Sequence, residues 1–239
     1  MRKINSIFVS NDYAAGCILP LRFDSLTMQD IIYNSDTLKD GNFLPVVECF
    51  YTIQGEGRHT GEATYFIRLA GCDIHCPWCD AKNTWNATKF PVFPVEEIAA
   101  GVLNSVAPAV VITGGEPFKY PLGPLTQLLK ENRIRIYVET SGSEPLSGSV
   151  DWICVSPKKR VAPLKENLKV ANELKVVISL PCDFSWAEEN AAMVGNDCLL
   201  YLQPEWGRMG EIMPLIVDYV KAHPQWRVSL QTHKFMDIP

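Results

Sequence analysis

The sequence predicts an α/β chain folded as a partial (β/α) barrel with mostly parallel strands. Three observations carry that expectation: short β-rich apolar runs, amphipathic helical stretches between several of them, and reactive residues gathered just beyond the runs. The runs are 46–53 (VVECFYTI), 64–69 (TYFIRL), 109–112 (AVVI), 134–138 (IRIYV), 152–155 (WICV), 174–178 (LKVVI), 198–202 (CLLYL) and 227–230 (RVSL). Most are bounded by Gly, Pro or polar clusters, as strands buried on both faces are. Between them Val95, Ile98, Ala99, Val102 and Leu103 recur at i, i+3, i+4, i+7 and i+8 and make one apolar face. Ile212, Leu215, Ile216, Tyr219 and Val220 repeat that spacing, and Leu122, Leu125, Leu128 and Leu129 make a shorter stripe. Strands alternating with helices pair in parallel through right-handed crossovers, which an open sheet also satisfies. In either architecture a ligand site belongs at the C-terminal strand ends, here the loops after Leu69, Ile112, Val138, Val155 and Leu202. Residues 1–41 lack periodicity and read as an N-terminal extension to a domain spanning 42–239.

Composition narrows the function classes. With 47% hydrophobic and 21% charged residues the chain is an ordinary globular one, long enough at 239 residues for a sizeable core. A net charge of −5, a pI near 5.4 and no Lys/Arg run argue against a nucleic-acid partner. The N-terminal apolar residues are interrupted by Asn5, Ser6, Ser10, Asn11 and Asp12, a poor signal peptide. Nothing approaches the roughly 18 consecutive apolar residues of a membrane span, so a cytoplasmic protein without a membrane partner is expected. Of eight cysteines, Cys17, Cys49, Cys154, Cys182 and Cys198 are scattered and read as small buried hydrophobes in a reducing compartment.

The other three, Cys72, Cys76 and Cys79, form C-x3-C-x2-C on a loop after an expected strand. Three thiolates on one loop can each ligate one iron of a cubane 4Fe–4S cluster and leave the fourth iron open to a substrate. A structural zinc site recruiting His75 or a distant cysteine is the competing reading of the spacing. A disulfide plus a free thiol fits neither the compartment nor the odd count.

The surroundings carry a resemblance. C-x3-C-x2-C with an aromatic residue, Trp78, before the last cysteine resembles the signature of the radical S-adenosylmethionine superfamily. The segment Thr113-Gly-Gly-Glu-Pro117, directly after AVVI, is similar to that family's GGEP motif. The resemblance implies a radical S-adenosylmethionine-type barrel over 42–239, whose open iron binds the cofactor through its amino and carboxylate groups. It places Trp78, Gly114, Gly115 and Glu116 at the cofactor, the glycines admitting close backbone approach and Glu116 offering a charged acceptor. Glu139, Ser156, Pro157, Lys158, Gln203, Pro204 and Glu205, all at strand ends, are carried over as further cofactor contacts.

Residues 47–69 narrow the resemblance. Tyr51-Thr-Ile-Gln-Gly-Glu-Gly57, followed by Phe66-Ile-Arg68 and the cysteine loop, is similar to the 7-carboxy-7-deazaguanine synthase family, over about residues 45–239. That family makes a deazapurine precursor of queuosine from 6-carboxy-5,6,7,8-tetrahydropterin by radical ring contraction. A pterin offers a donor–acceptor edge and a carboxylate: Gln54 and Glu56 suit the first and Arg68 the second, bidentately. Gly55, Thr113, His233 and the terminal Pro239 are carried over as substrate-binding, Pro239 through its carboxylate. One position departs from the family, which follows its last cysteine with Asp or Ser and then Thr to help hold magnesium. Here Ala81 follows Asp80, so Asp80 or Thr84 is left to supply an oxygen. An external electron donor such as flavodoxin and a homodimer are also implied. The rivals are another radical enzyme, such as a glycyl-radical activase, and a non-catalytic zinc-binding module.

Overall fold

The computed structural model describes residues 36–239. A long strand β1 (Phe43–Ile53) turns back into β2 (Ala63–Leu69), its antiparallel neighbour, and a short β3 (Val92–Pro94) pairs antiparallel on the other side of β1. From β2 onward every pairing is parallel, through β4 (Ala109–Gly114), β5 (Arg135–Thr140), β6 (Trp152–Val155), β7 (Glu173–Ile178), β8 (Leu199–Pro204) and β9 (Trp226–Val228). Among the described residues the order β3-β1-β2-β4-β5-β6-β7-β8-β9 leaves β3 and β9 at the two edges, so the curved sheet is a partial barrel, as expected.

Period-2 alternation divides each strand between two environments. On β4, Val110 and Ile112 face outward and pack with Val95, Ile98, Ala99 and Val102 of α1 (Val95–Leu103) and Leu125 and Leu129 of α2 (Gly123–Glu131). The outward residues of β6 to β9 pack instead on Leu168 of α3 (Lys165–Val170), Ala187 of α4 (Asp183–Ala191) and Ile212 and Ile216 of α5 (Met209–Ala222). Each such Leu or Ile contributes about 1.5–3 kcal/mol on full burial. Two members of the expected stripes miss the core: Leu103 and Leu215 are 41% and 42% exposed, at the end of one helix and the edge of the other's stripe.

The inward residues do something else. Ala109, Val111 and Tyr137, with Phe66 and Trp152, make a small apolar cluster at the N-terminal half of the strands. The β1–β2 connection closes beneath it: the His59 ring stacks on Tyr137 at 3.9 Å and meets Trp152 edge-on at 4.9 Å. Above that cluster the inner face turns polar, and there a cleft opens.

Four elements escaped the periodicity reading, β3, α3, α4 and the last helix, and three of them are held by contacts other than an apolar stripe. β3 is three residues beside Pro91 and exists by pairing with β1. α4 begins where the Asp183 carboxylate accepts from the Ser179 and Leu180 N–H groups. The last helix, α6 (Thr232–Met236), is tied by the Thr232 N–H and hydroxyl to the Gly55 carbonyl. Among the scattered cysteines, Cys49 and Cys154 are buried and Cys198 half-buried, but Cys182 is exposed just ahead of α4; Cys17 lies outside the described residues.

Candidate active site

A cleft of about 560 Å³ lies at the C-terminal ends of the strands, and one of its walls is the cysteine loop. That loop is laced into the fold by its backbone. Gly71 N donates to the Thr84 carbonyl and Cys72 N to that of Trp85, while Arg160 caps the His75 carbonyl. All three cysteines are free thiols; Cys72 and Cys76 are buried against Ile74, with Trp78, Cys79 and Trp85 alongside. Burial pushes the Cys72 and Cys76 thiols up, and binding to iron would remove those protons. The His75 ring stacks on Trp85 at 4.5 Å rather than turning to the thiols. Among the described residues no three His, Cys, Asp or Glu side chains gather tightly enough for one metal ion. Thiols spread around a loop suit a cubane, which takes one per iron.

The GGEP segment is bound directly to that loop. Gly115 N donates to the Leu69 carbonyl and Glu116 N to that of Gly71, at 2.9 and 2.8 Å. Gly114 sits at φ +132°, and a Cβ there would lie 2.1 Å from the Leu69 oxygen. A Cβ on Gly115 would lie 2.1 Å from the Gly71 oxygen. Only glycine permits that approach. Glu116 differs from its expected place: it is 3% exposed and outside the cleft lining. Its carboxylate accepts from Thr140 Oγ1 at 2.6 Å, from Ser141 N and Oγ, and from Phe118 N. It latches the glycine loop to the end of β5, and the glycine backbone is what faces the cavity.

The floor is built from side chains. Lys175 Nζ, on β7, donates to Glu56 Oε2 at 2.6 Å and Glu139 Oε2 at 2.7 Å, with only 3% of its side chain exposed. Gln231 Nε2 donates to the other Glu56 oxygen at 2.8 Å. Gln54 Nε2 reaches Glu139 Oε1 at 3.4 Å, and its own carbonyl accepts from Glu56 N, which fixes the amide's orientation. Burial would raise the Glu56 carboxyl, but the Lys175 ammonium, Gln231 and His233 outweigh it and hold it at about 2. Burial would likewise lower the Lys175 ammonium; Cys154, Glu139, Glu56 and Glu173 reverse that and keep it well above its usual value. Gly55 is pressed against α6: a Cβ there would lie 2.3 Å from His233 Nδ1.

Other expected residues take their places around this frame. Arg68 pairs through Nε with Glu48 at 2.6 Å across the β1–β2 register, and it neighbours Thr113 on β4. Lys158 bonds the Ser156 carbonyl and hydroxyl, and its ammonium stands 5.3 Å from the Trp78 ring centroid. Gln203, Pro204, Glu205 and Pro239 line the cleft, and the Pro239 carbonyl accepts from Thr52 Oγ1. Asp80 lines it too, one oxygen accepting from Gln231 and Lys234. Thr84 and Pro157 do not: Thr84 is 1% exposed, with its hydroxyl donating to the Ala81 carbonyl, and Pro157 is buried behind the strand end. Sequence reasoning missed Lys175, Gln231 and Glu48. Lys175 left a signal, since alternation along ELKVVI puts Glu173 and Lys175 on one face of a buried strand, opposite Leu174, Val176 and Ile178.

Comparison with known proteins agrees with this geometry. A family model described as a 4Fe-4S single cluster domain matches residues 53–196. The chain is 48% identical to the 7-carboxy-7-deazaguanine synthase of Flavobacterium psychrophilum, over 84% of this chain and 96% of that one. It is 45% identical to the Synechocystis enzyme of the same name, over 81% and 93%. The crystal structure of QueE from Escherichia coli superposes with a TM-score of 0.72 at 31% identity, covering 83% of this chain and 98% of that one. A shared fold, coverage of 93% or more of each relative and identities of 31% to 48% leave one conclusion: the chain belongs to the 7-carboxy-7-deazaguanine synthase family of radical S-adenosylmethionine enzymes.

Proposed function

We propose that the chain converts 6-carboxy-5,6,7,8-tetrahydropterin to 7-carboxy-7-deazaguanine, acting over 42–239 with 1–41 as an extension. One observation carries the reading: a single cleft joins three free thiols on its rim to a carboxylate-lined floor suited to a pterin's donor edge. A 4Fe–4S cluster held by Cys72, Cys76 and Cys79, with S-adenosylmethionine bound, supplies the one-electron chemistry that starts hydrogen abstraction. The chain's own residues position and enclose. The Gly114–Gly115 backbone admits the cofactor's methionyl end, and Glu116 keeps that loop in place through Thr140 and Ser141. Trp78, Ser156, Lys158, Gln203, Pro204 and Glu205 line the cofactor's path, with Pro157 shaping the strand end behind it, and Glu139 stands where that path meets the floor, bonded to Lys175 and Gln54.

At the substrate end, Glu56 and Gln54 meet the aminopyrimidinone edge, and Gly55 brings His233 against it. Glu48 holds Arg68 through Nε, so the paired terminal nitrogens are the ones to take a carboxylate bidentately. Thr113 and Pro239 complete the pocket. Magnesium at the substrate carboxylate is assigned to Asp80, which lines the cleft, since Thr84 is buried outside it. An external donor such as flavodoxin, a homodimer and a cytoplasmic location follow from the family resemblance. The test is anaerobic turnover of carboxytetrahydropterin by reconstituted, reduced protein, with mass detection of the deazapurine and with and without magnesium. Cofactor cleavage without pterin conversion would overturn the substrate assignment.

A further inference from the structure

Resting on that reading, we propose that Lys175 is a positioning residue for the substrate: it keeps Glu56 and Glu139 aimed into the cleft as a pair of acceptors, so that the floor selects ligands presenting N–H donors there. The observation is geometric. One ammonium bonds both carboxylates at 2.6 and 2.7 Å, which brings the two acids close together, and each still faces the cleft. Glu56 comes from the loop after β1, Glu139 from β5 and Lys175 from β7, so no single element holds the triad.

Two carboxylates this close, with only 19% and 22% of their side chains exposed, repel once the cation between them is gone, and one takes up a proton as pH falls. A protonated carboxyl becomes a donor. The exocyclic amine and ring N–H of a 2-aminopyrimidinone are donors as well, so the floor would then face its ligand with like against like. Mispairing of that kind discriminates strongly in a desolvated site. The other charged groups around Lys175 do not replace it. Glu173, on the same strand, is committed to Trp152 Nε1 and Arg58 N, and burial pushes its carboxyl up. Cys154 on β6 is a buried thiol whose titration burial drives well upward. Lys158 bonds Ser156, and burial lowers His233 on α6.

A structural ion pair would predict something different. Removing one partner of a buried ion cluster costs fold stability, but a purely structural role gives substrate affinity no reason to follow pH. The decisive measurement is KM for carboxytetrahydropterin over roughly pH 6 to 9 in wild type, Lys175→Met and the double variant Lys175→Met/Glu139→Gln. Iron content and S-adenosylmethionine binding are followed in parallel. The wild-type profile also records the substrate's own titration. Lys175→Met is expected to raise KM at least about ten-fold at the acid end, the deficit shrinking as rising pH removes the shared proton. In the double variant, assayed at saturating S-adenosylmethionine because Glu139 also borders the cofactor's path, the lone carboxylate has no neighbour to share with, and the profile regains the wild-type shape. Should Lys175→Met fail to fold, Lys175→Gln, which keeps donors but not charge, carries the same expectation. A KM profile in the neutral variant parallel to wild type, whether displaced or not, overturns the inference. Wild-type protein that converts no pterin overturns the reading beneath it instead.

Discussion

The rim of the cleft, residues 69–85 and 113–116, is stitched by backbone hydrogen bonds between two neighbouring loops, Gly115 to Leu69 and Glu116 to Gly71 among them. The floor joins side chains up to 175 residues apart, Gln231 to Glu56 and Lys175 to both Glu56 and Glu139. A backbone-built wall tolerates most side-chain exchange but not an added Cβ where loops touch. A side-chain-built floor depends on its charge balance, and therefore on pH and on each single partner. The two regions should fail differently.

The largest expected effect is at the rim: Cys76→Ala should abolish cluster absorption and cofactor cleavage, since each thiolate serves a different iron. Iron analysis checks it, and Cys182→Ser, at an exposed cysteine outside the loop, should be silent. Gly114→Ala comes next, because it combines a positive φ with a Cβ 2.1 Å from the Leu69 oxygen. Strain of about 1–3 kcal/mol from the dihedral alone, added to that clash, should lower Tm and S-adenosylmethionine affinity together. At the floor, Glu56→Gln should raise KM for the pterin about ten-fold or more while iron content and cofactor binding stay at wild-type levels. Equal damage to cofactor binding would erase the distinction between the regions.

The smallest effect is on acid stability. Glu56 has its carboxyl depressed from 4.5 to about 2, so its contribution to folding is complete above the unfolded value and is lost as pH falls between the two. Removing the cation in Lys175→Met takes away the depression, so the acid unfolding midpoint, followed by circular dichroism, should move to higher pH.

The rim was readable because its parts are contiguous: C-x3-C-x2-C and TGGEP each lie in one loop at one strand end. Even there, the role of Glu116 was not. Its motif placed it at the cofactor, whereas the folded chain turns it toward Thr140 and Ser141 at the end of the next strand. Gln54 and Glu56 were recognisable as a motif, but their partners were not, because Lys175 and Gln231 enter from β7 and the approach to α6. Thr84 shows the converse, a hydroxyl near the cysteines in sequence that its own 3-10 turn consumes.

By itself the sequence determined the strand count to within one short edge strand, the parallel α/β architecture, the cluster-bearing loop and the glycine loop opposite it. These depend on local periodicity and on spacing within one loop, which the chain carries along its own length. Only the tertiary structure decided which acids share which cation, which strand the Glu116 carboxylate ties down, and that a buried lysine stands between Glu56 and Glu139. Those pairings arise where parallel strands bring distant inward-facing positions side by side, and strand register is a property of the folded sheet.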